Sequence, residues 1–259
     1  MTIATDTRRI PPFGGFSPRF YVLELKRMLR NKRSMIFTLI MPSVFFLLFG
    51  SDAEYRTERA GHGNTTAYIM VSMAVYGAMI ATTAGGAMVA TERALGWSRQ
   101  LRLTPLKPVA YVAIKVLVAM TMGALAILAV FIVGNLRGAD LPLWRLVLCG
   151  AIGWGCTLVF AAFGLFMGYL LPSENVMQLL GPSLALLALA GGLFTPLHNF
   201  SQGFQDFAKF TPAYGVGVLS RAPFGSDGSV GLALLNIVVW AGLFVAGAAW
   251  RMSKDTKRV

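Results

Sequence analysis

Six stretches of this chain are long enough to cross a lipid bilayer and carry no Asp, Glu, Lys or Arg along their apolar length. Crossing takes about 20 apolar residues as a helix, with a usable range of roughly 17–25. The stretches are Ser34–Ser51, Gly61–Thr91, Val116–Leu136, Leu146–Ser173, Asn175–Lys209 and Gly228–Trp250, the fifth being apolar only as far as Leu197. The first is the shortest, with 18 residues. Pro42 and Pro182 fall inside the first and fifth. Membrane helices tolerate such prolines, because neighbours re-satisfy the freed carbonyls. Only 13% of the residues are charged and 56% are hydrophobic, against about 25% charged in an ordinary globular domain. Such a chain cannot clothe a water-facing surface, which argues against a soluble enzyme, and its hydrophobicity excludes disorder. The expected fold class is all-α integral membrane, with six transmembrane helices.

The net charge of +12 could signal nucleic acid or an anionic membrane surface, and its distribution decides. With the N-terminus taken as cytoplasmic, segments 1–33, 91–115, 172–176 and 250–259 hold 17 of the 23 Lys and Arg residues. Segments 51–66, 135–145 and 198–229 hold the other 6. This bias puts both ends of a six-span chain in the cytoplasm and explains the basic total without nucleic acid. The first 33 residues are polar and charged, unlike a signal peptide that leads straight into its apolar core. The N-terminus is therefore expected to stay on the side where it was made.

The division that follows is a cytoplasmic tail 1–33, a membrane domain 34–250 and a basic tail 251–259. In the first, Ser17-Pro18 reads as a helix start. Tyr21, Leu25, Met28 and Leu29 then share one helical face. Arg19, Lys26, Arg30 and Arg33 fall on another, which suits an amphipathic helix lying in the membrane interface. The alternative is a plain polybasic tail. Between spans two and three, the segment 91–108 mixes Leu95, Trp97, Leu101 and Leu103 with Arg93, Arg99, Arg102 and Lys107. Aromatic and Arg anchors of this kind dominate protein interfaces, so the loop looks made to dock on a soluble partner; the alternative is a loop lying on lipid headgroups. Segment 198–229 carries Phe200, Phe204, Phe207, Phe210, Tyr214 and Phe224 with few charges. It is expected to dip into the outer interface as short re-entrant helices broken at Pro212 and Pro223.

Some chemistry is missing. The apolar stretches contain no ionisable side chain other than Cys and Tyr, which disfavours an ion-coupled carrier. No Gly-Lys dipeptide, GxSxG or HExxH occurs, so neither a phosphate-cradling loop nor a hydrolytic centre is expected. His62 and His198 lack spaced partners for a metal, and Cys149 with Cys156 reads as two buried small hydrophobes. Gly77, Ala81 and Gly85, and likewise Gly164 and Gly168, permit close helix approach; packing within the chain is the favoured reading, a dimer seam the alternative.

These features together resemble the membrane subunit of ABC-2 type exporters, in particular the drug-efflux branch that includes daunorubicin-resistance permeases. Thr91-Glu92-Arg93, Gly96-Trp97 and Gln100-Leu101-Arg102-Leu103-Thr104-Pro105-Leu106 are similar to that family's Glu-Arg … Gly … Leu-Leu … Thr-Pro-Leu loop. Gly191-Gly192-Leu193-Phe194-Thr195-Pro196-Leu197, followed by Phe210-Thr211-Pro212-Ala213-Tyr214, is similar to its outer Gly-Phe-Phe-Pro … Asn-Pro … Tyr stretch. The likeness covers nearly the whole chain. The family often has a second Glu after the Arg and a Thr after the Gly, where this chain has Ala94 or Leu95 and Trp97.

The resemblance implies that the loop seats in a separate ATP-binding subunit, through Glu92, Arg93, Gly96, Trp97, Gln100, Leu101 and Arg102. Arg19, Lys26 and Arg30 would hold the amphipathic helix at the lipid surface. It also implies a second permease copy or a related permease, with ATP and Mg bound in the partner and no cofactor or enzyme activity in this chain. The expected cargo is an amphipathic, largely apolar drug, antibiotic or lipid, because the spans offer no charge to receive a polar ion. A lipid-linked glycan is the alternative within the family. A lipid-modifying membrane enzyme is disfavoured, and an assembly protein without transport would not need the loop.

Overall fold

The computed structural model describes residues 12–96, 106–225 and 228–256. Its described residues are almost entirely helical. Helix α1 (Pro18–Arg30) ends at Asn31, whose backbone is extended; α2 (Lys32–Met35), a π-helical turn (Ile36–Ile40) and α3 (Met41–Gly50) then run on without a break. The wide turn sits immediately before Pro42, which lacks an N–H for the regular ladder. The N–H of Met41 reaches back to Ile36 O instead. The short helix α4 (Ala53–Thr57) leads into a two-stranded antiparallel hairpin, β1 (Arg59–Ala60) and β2 (Gly63–Asn64). The main helices follow: α5 (Thr65–Ala94), α6 (Pro108–Leu136), α7 (Leu143–Cys156), α8 (Leu158–Leu170) and α9 (Ser173–Ala190). Two short helices, α10 (Gln202–Ala208) and α11 (Pro212–Arg221), precede the last, α12 (Val230–Thr256).

Among the described residues, four segments are long and apolar enough to cross a membrane: Thr65–Ala94, Pro108–Leu136, Leu143–Leu170 and Val230–Lys254. Ile36–Gly50 is a shorter apolar helix. Leu143–Leu170 bends at Thr157, whose N–H is shared between Gly153 O and Trp154 O. The end of the bundle that carries α1 and the α5–α6 connection is termed proximal here, and the end that carries the hairpin distal.

Helix α5 is the axis of the molecule. It packs against α3, α6, α8, α9 and α11, and 21 of its 30 residues are buried. A helix apolar around its whole circumference is stable only when surrounded, and here the wrapping depends on small residues. A Cβ on Gly85 would stand 2.5 Å from Ala119 Cβ, and one on Gly86 2.5 Å from Ala161 O. A Cβ on Gly77 would stand 2.9 Å from Pro42 of α3, and Gly164 lies directly on the Thr83 backbone. These glycines therefore serve packing within the chain.

The segment between α9 and α12 forms short helices. Pro212 starts α11 rather than interrupting a helix, and all ten residues of α11 are buried against α5, α7 and α12. Phe207 and Phe210, by contrast, are exposed beside it. Asn236 of α12 donates to Lys209 O at 2.8 Å and Thr211 O at 3.1 Å, tying the last helix to this segment.

The distal end is pinned by one amide. Asn64 caps α5 by accepting from Ala67 N at 2.9 Å, and its Oδ1 also accepts from Asp140 N at 3.0 Å. Its Nδ2 donates to Gly138 O at 2.9 Å and Arg56 O at 3.1 Å. All four bonds are made by one buried side chain, joining the hairpin, α4 and the α6–α7 loop. The Asn64→Ala variant loses a helix cap, worth about 1 kcal/mol, and strands further buried groups at about 1 kcal/mol or more each. Its expected loss is about 3 kcal/mol, visible as a lower apparent unfolding temperature in detergent; an unchanged temperature would show that the amide is not the pin.

Candidate functional site

Helix α5 ends in Glu92-Arg93, and the two side chains reach different neighbours. Glu92, 3% exposed, meets Lys115 of α6 at 2.5 Å between Oε1 and Nζ. Lys115, also 3% exposed, contacts Glu24 Oε2 of α1 at 2.5 Å. Arg27 of α1 closes the ring, with Nη2 at 2.9 Å from Glu92 Oε1 and Nη1 at 3.2 Å from Glu24 Oε1. The Tyr111 hydroxyl donates to Glu92 Oε2, and its ring lies 5.4 Å from Lys115 Nζ. Two carboxylates and two cations thus form a neutral cluster that joins three helices.

The local sequence places each member. Tyr111 and Lys115 are one turn apart on α6 and share a face. Glu24 lies on the α1 face that carries Tyr21, Leu25 and Met28, and this face packs on α6 around Ile114, Val118 and Met122. The Tyr21 hydroxyl is 2.8 Å from Thr121 Oγ1. The amphipathic pattern of α1 is thus satisfied largely by protein, while Arg19, Lys26 and Arg30 remain exposed on its other sides.

Arg93 turns toward α8. Its Nη1 donates to Gly168 O and Tyr169 O, both at 3.1 Å, and its guanidinium lies 5.5 Å from the centre of the Tyr169 ring. A cation on the last carbonyls of a helix also complements the helix dipole. Gly96 then ends α5 in the left-handed region at φ +72, with no atom of the described residues within 4 Å of where a Cβ would sit. On the other side of the connection, Lys107 N donates to Gly14 O at 2.9 Å, and Pro108 opens α6.

Of the loop residues expected from the sequence, Glu92, Arg93 and Gly96 sit at this proximal end. Trp97, Gln100, Leu101 and Arg102 lie outside the described residues. Glu24, Arg27, Tyr111 and Lys115 were not among the sequence candidates. One signal could have found Glu24: it is the sole acidic residue between Asp6 and Asp52, and it falls on the apolar face of its helix. Helices α5 and α6 extend past their charge-free stretches, burying Glu92 in the last turn of α5 and Lys115 two turns into α6.

An all-helical bundle with several helices long and apolar enough to cross a membrane defines an integral membrane protein. The family model for the ABC-2 type transporter matches residues 21–221, and the chain belongs to that family. It is also 29% identical over 208 residues to "Putative transport permease YvfS" of Bacillus subtilis (strain 168), an alignment covering 76% of this chain and 80% of the other. The matched region runs from α1 to the end of α11 and so contains the whole ion cluster.

Removing one partner from a buried ion cluster leaves uncompensated charge, which costs about 3–5 kcal/mol, whereas removing all partners together is often neutral. Lys115→Met alone should therefore lower the unfolding temperature in detergent more than Lys115→Met combined with Glu24→Gln and Glu92→Gln. If the triple variant proved the less stable of the two, the cluster would not be held by charge compensation.

Proposed function

We propose that this chain is the membrane subunit of an ATP-driven exporter that moves amphipathic drug-like, antibiotic or lipid-like cargo out across the cytoplasmic membrane. The observation that carries the reading is the placement of Glu92. It lies in the last turn before the 91–108 loop, and the same carboxylate is bound to α6 and α1. Force applied to the loop is delivered through it to three helices at once. Coupling of this kind needs contiguous packed elements with more than one arrangement. Arg93, gripping the end of α8, extends the lever to a fourth helix.

In this reading the proximal end is cytoplasmic, in agreement with the Lys and Arg bias. Lys32–Gly50 and Ser173–Ala190 join the four longer helices as shorter crossings, each roughly 27–28 Å long. Six passes then place both ends in the cytoplasm. The buried α11 and the exposed Phe207 and Phe210 support an outer segment that dips into the membrane between the fifth and sixth passes. The loop, through Glu92, Arg93, Gly96, Trp97, Gln100, Leu101 and Arg102, seats on a separate ATP-binding subunit, which holds ATP and Mg. A second permease, identical or related, completes the path. Arg19, Lys26 and Arg30 face the lipid headgroups.

The test is co-purification and transport. With the ATP-binding subunit co-expressed, Trp97→Ala combined with Arg93→Ala is expected to reduce both the ATP-binding subunit recovered with the permease and ATP-linked efflux of an amphipathic dye by about tenfold or more, of the order of losing an anchor pair at an interface. Retention of both at wild-type levels would refute the docking assignment.

A further inference from the structure

A second buried cation lies near the distal end, and its surroundings differ from those of Lys115. Arg221, the last residue of α11, is 4% exposed. Its Nη1 donates to Ser72 Oγ at 3.1 Å, and its guanidinium carbon is 5.1 Å from the centre of the Tyr68 ring. Its Nε has no acceptor. Among the described residues no carboxylate pairs with it. A buried cation is strongly disfavoured unless something compensates its charge, and ionisable groups at such depth commonly mark a functional path.

The geometry shows which side of the group is spare. A guanidinium binds carboxylate or phosphate through two parallel N–H groups. With Nη1 occupied by Ser72, the spare fork is the Nε and Nη2 edge. Gly217, one turn earlier on α11, makes room for the guanidinium itself: a Cβ at that position would stand 2.6 Å from Gly191 O and 3.3 Å from Nη2. The surrounding walls are apolar and aromatic, with the Phe224 ring edge-on to Tyr68 at 5.7 Å.

The turn that follows Arg221 carries Phe224 into the core beside Tyr68. Ser72 is seven residues into α5, roughly 10 Å below its distal start. The turn, Ala222–Phe224, is followed by Gly225 in the left-handed region at φ +93. His62 N donates to Phe224 O at 3.0 Å and Arg145 Nη1 to Pro223 O at 2.9 Å. These are single hydrogen bonds from the hairpin and from α7.

We propose that Arg221 receives an anionic group of the cargo, a carboxylate or phosphate on an otherwise apolar molecule, held by Nε and Nη2. This narrows the cargo class and rests on the exporter reading above. It also replaces the expectation of a path without charge by one with a buried cation in its distal part.

The test is binding without ATP or the ATP-binding subunit, so that it does not depend on coupling. The full chain in phosphatidylcholine nanodiscs is titrated with fluorescently labelled dodecanoate, at alkaline pH, and with the methyl ester of the same probe. The wild type is expected to bind the acid about tenfold more tightly than the ester, as a two-point charged contact implies. Arg221→Met should bring the two affinities together while leaving ester binding unchanged, which also reports a folded protein. Arg221→Lys should keep part of the preference, because it retains the charge and loses the fork. Equal affinities in the wild type, or a full preference persisting in either variant, would overturn the proposal. Displacement of the acid by phosphatidylglycerol included in the nanodisc would assign the anion to bilayer lipid and overturn the cargo assignment. Loss of the Trp97 and Arg93 effect on transport, with the acid preference intact, would sink the exporter reading and leave Arg221 as an anion site.

Discussion

The proximal half of the structure depends on neutralising charge where helices leave the apolar layer. Glu24, Glu92 and Lys115 are each almost completely buried. Alone, any one of them would be driven toward water. Together, and with Arg27 and the Tyr111 hydroxyl, they satisfy one another. Such a cluster gives little net stability compared with apolar packing, because desolvation offsets most of the attraction. Its value is in geometry. Hydrophobic contact tolerates sliding, whereas a lysine held between two carboxylates from different helices fixes their relative height. The consequence is a defined start for α6 and a defined seat for α1, on either side of the loop that follows Glu92.

The rest of the bundle is arranged around that fixed point by close approach. Helix α5 offers Gly77, Gly85 and Gly86 along its length, and Pro42, Ala119 and Ala161 come up to them. Within lipid there is no hydrophobic drive to bring helices together, so contact area and small residues decide which faces meet. A displacement at Glu92 therefore has two routes: through ionic ties to α1 and α6, and through backbone contacts to α8. The bend at Thr157 and the π-turn before Pro42 lie on the second set of neighbours, where a helix can change direction without breaking the packing on α5.

Much of this was legible in the sequence, for a simple reason. The absence of charge over about 20 residues is a local property, and lipid enforces it. Helices α5, α6 and α12, and the α7–α8 pair, accordingly fall where the charge-free stretches lie. The helix start at Ser17-Pro18 and the face carrying Tyr21, Leu25 and Met28 were legible from capping and spacing. The partners of Glu24 and Lys115 were not. The two residues are 91 positions apart, and one of them reads as an ordinary basic flank of a membrane helix. Whether a flanking charge snorkels to water or turns inward depends on what stands opposite, and that is fixed only when α1 docks on α6. The same holds for Arg221, which a count of Lys and Arg treats like any exposed cation of a connecting segment.

The two buried cations show why composition alone misjudges such a path. Lys115 has two carboxylates in contact and sits in a part of the fold with no charge left to offer. Arg221 has one hydroxyl and one aromatic face, and its Nε has no acceptor. Both are single positive residues in a chain of net charge +12, yet the first is internally compensated and the second is not. Compensation by the protein makes a cation structural. Its absence, in a site walled by apolar groups, leaves the attraction available to a molecule that brings its own negative charge together with an apolar body.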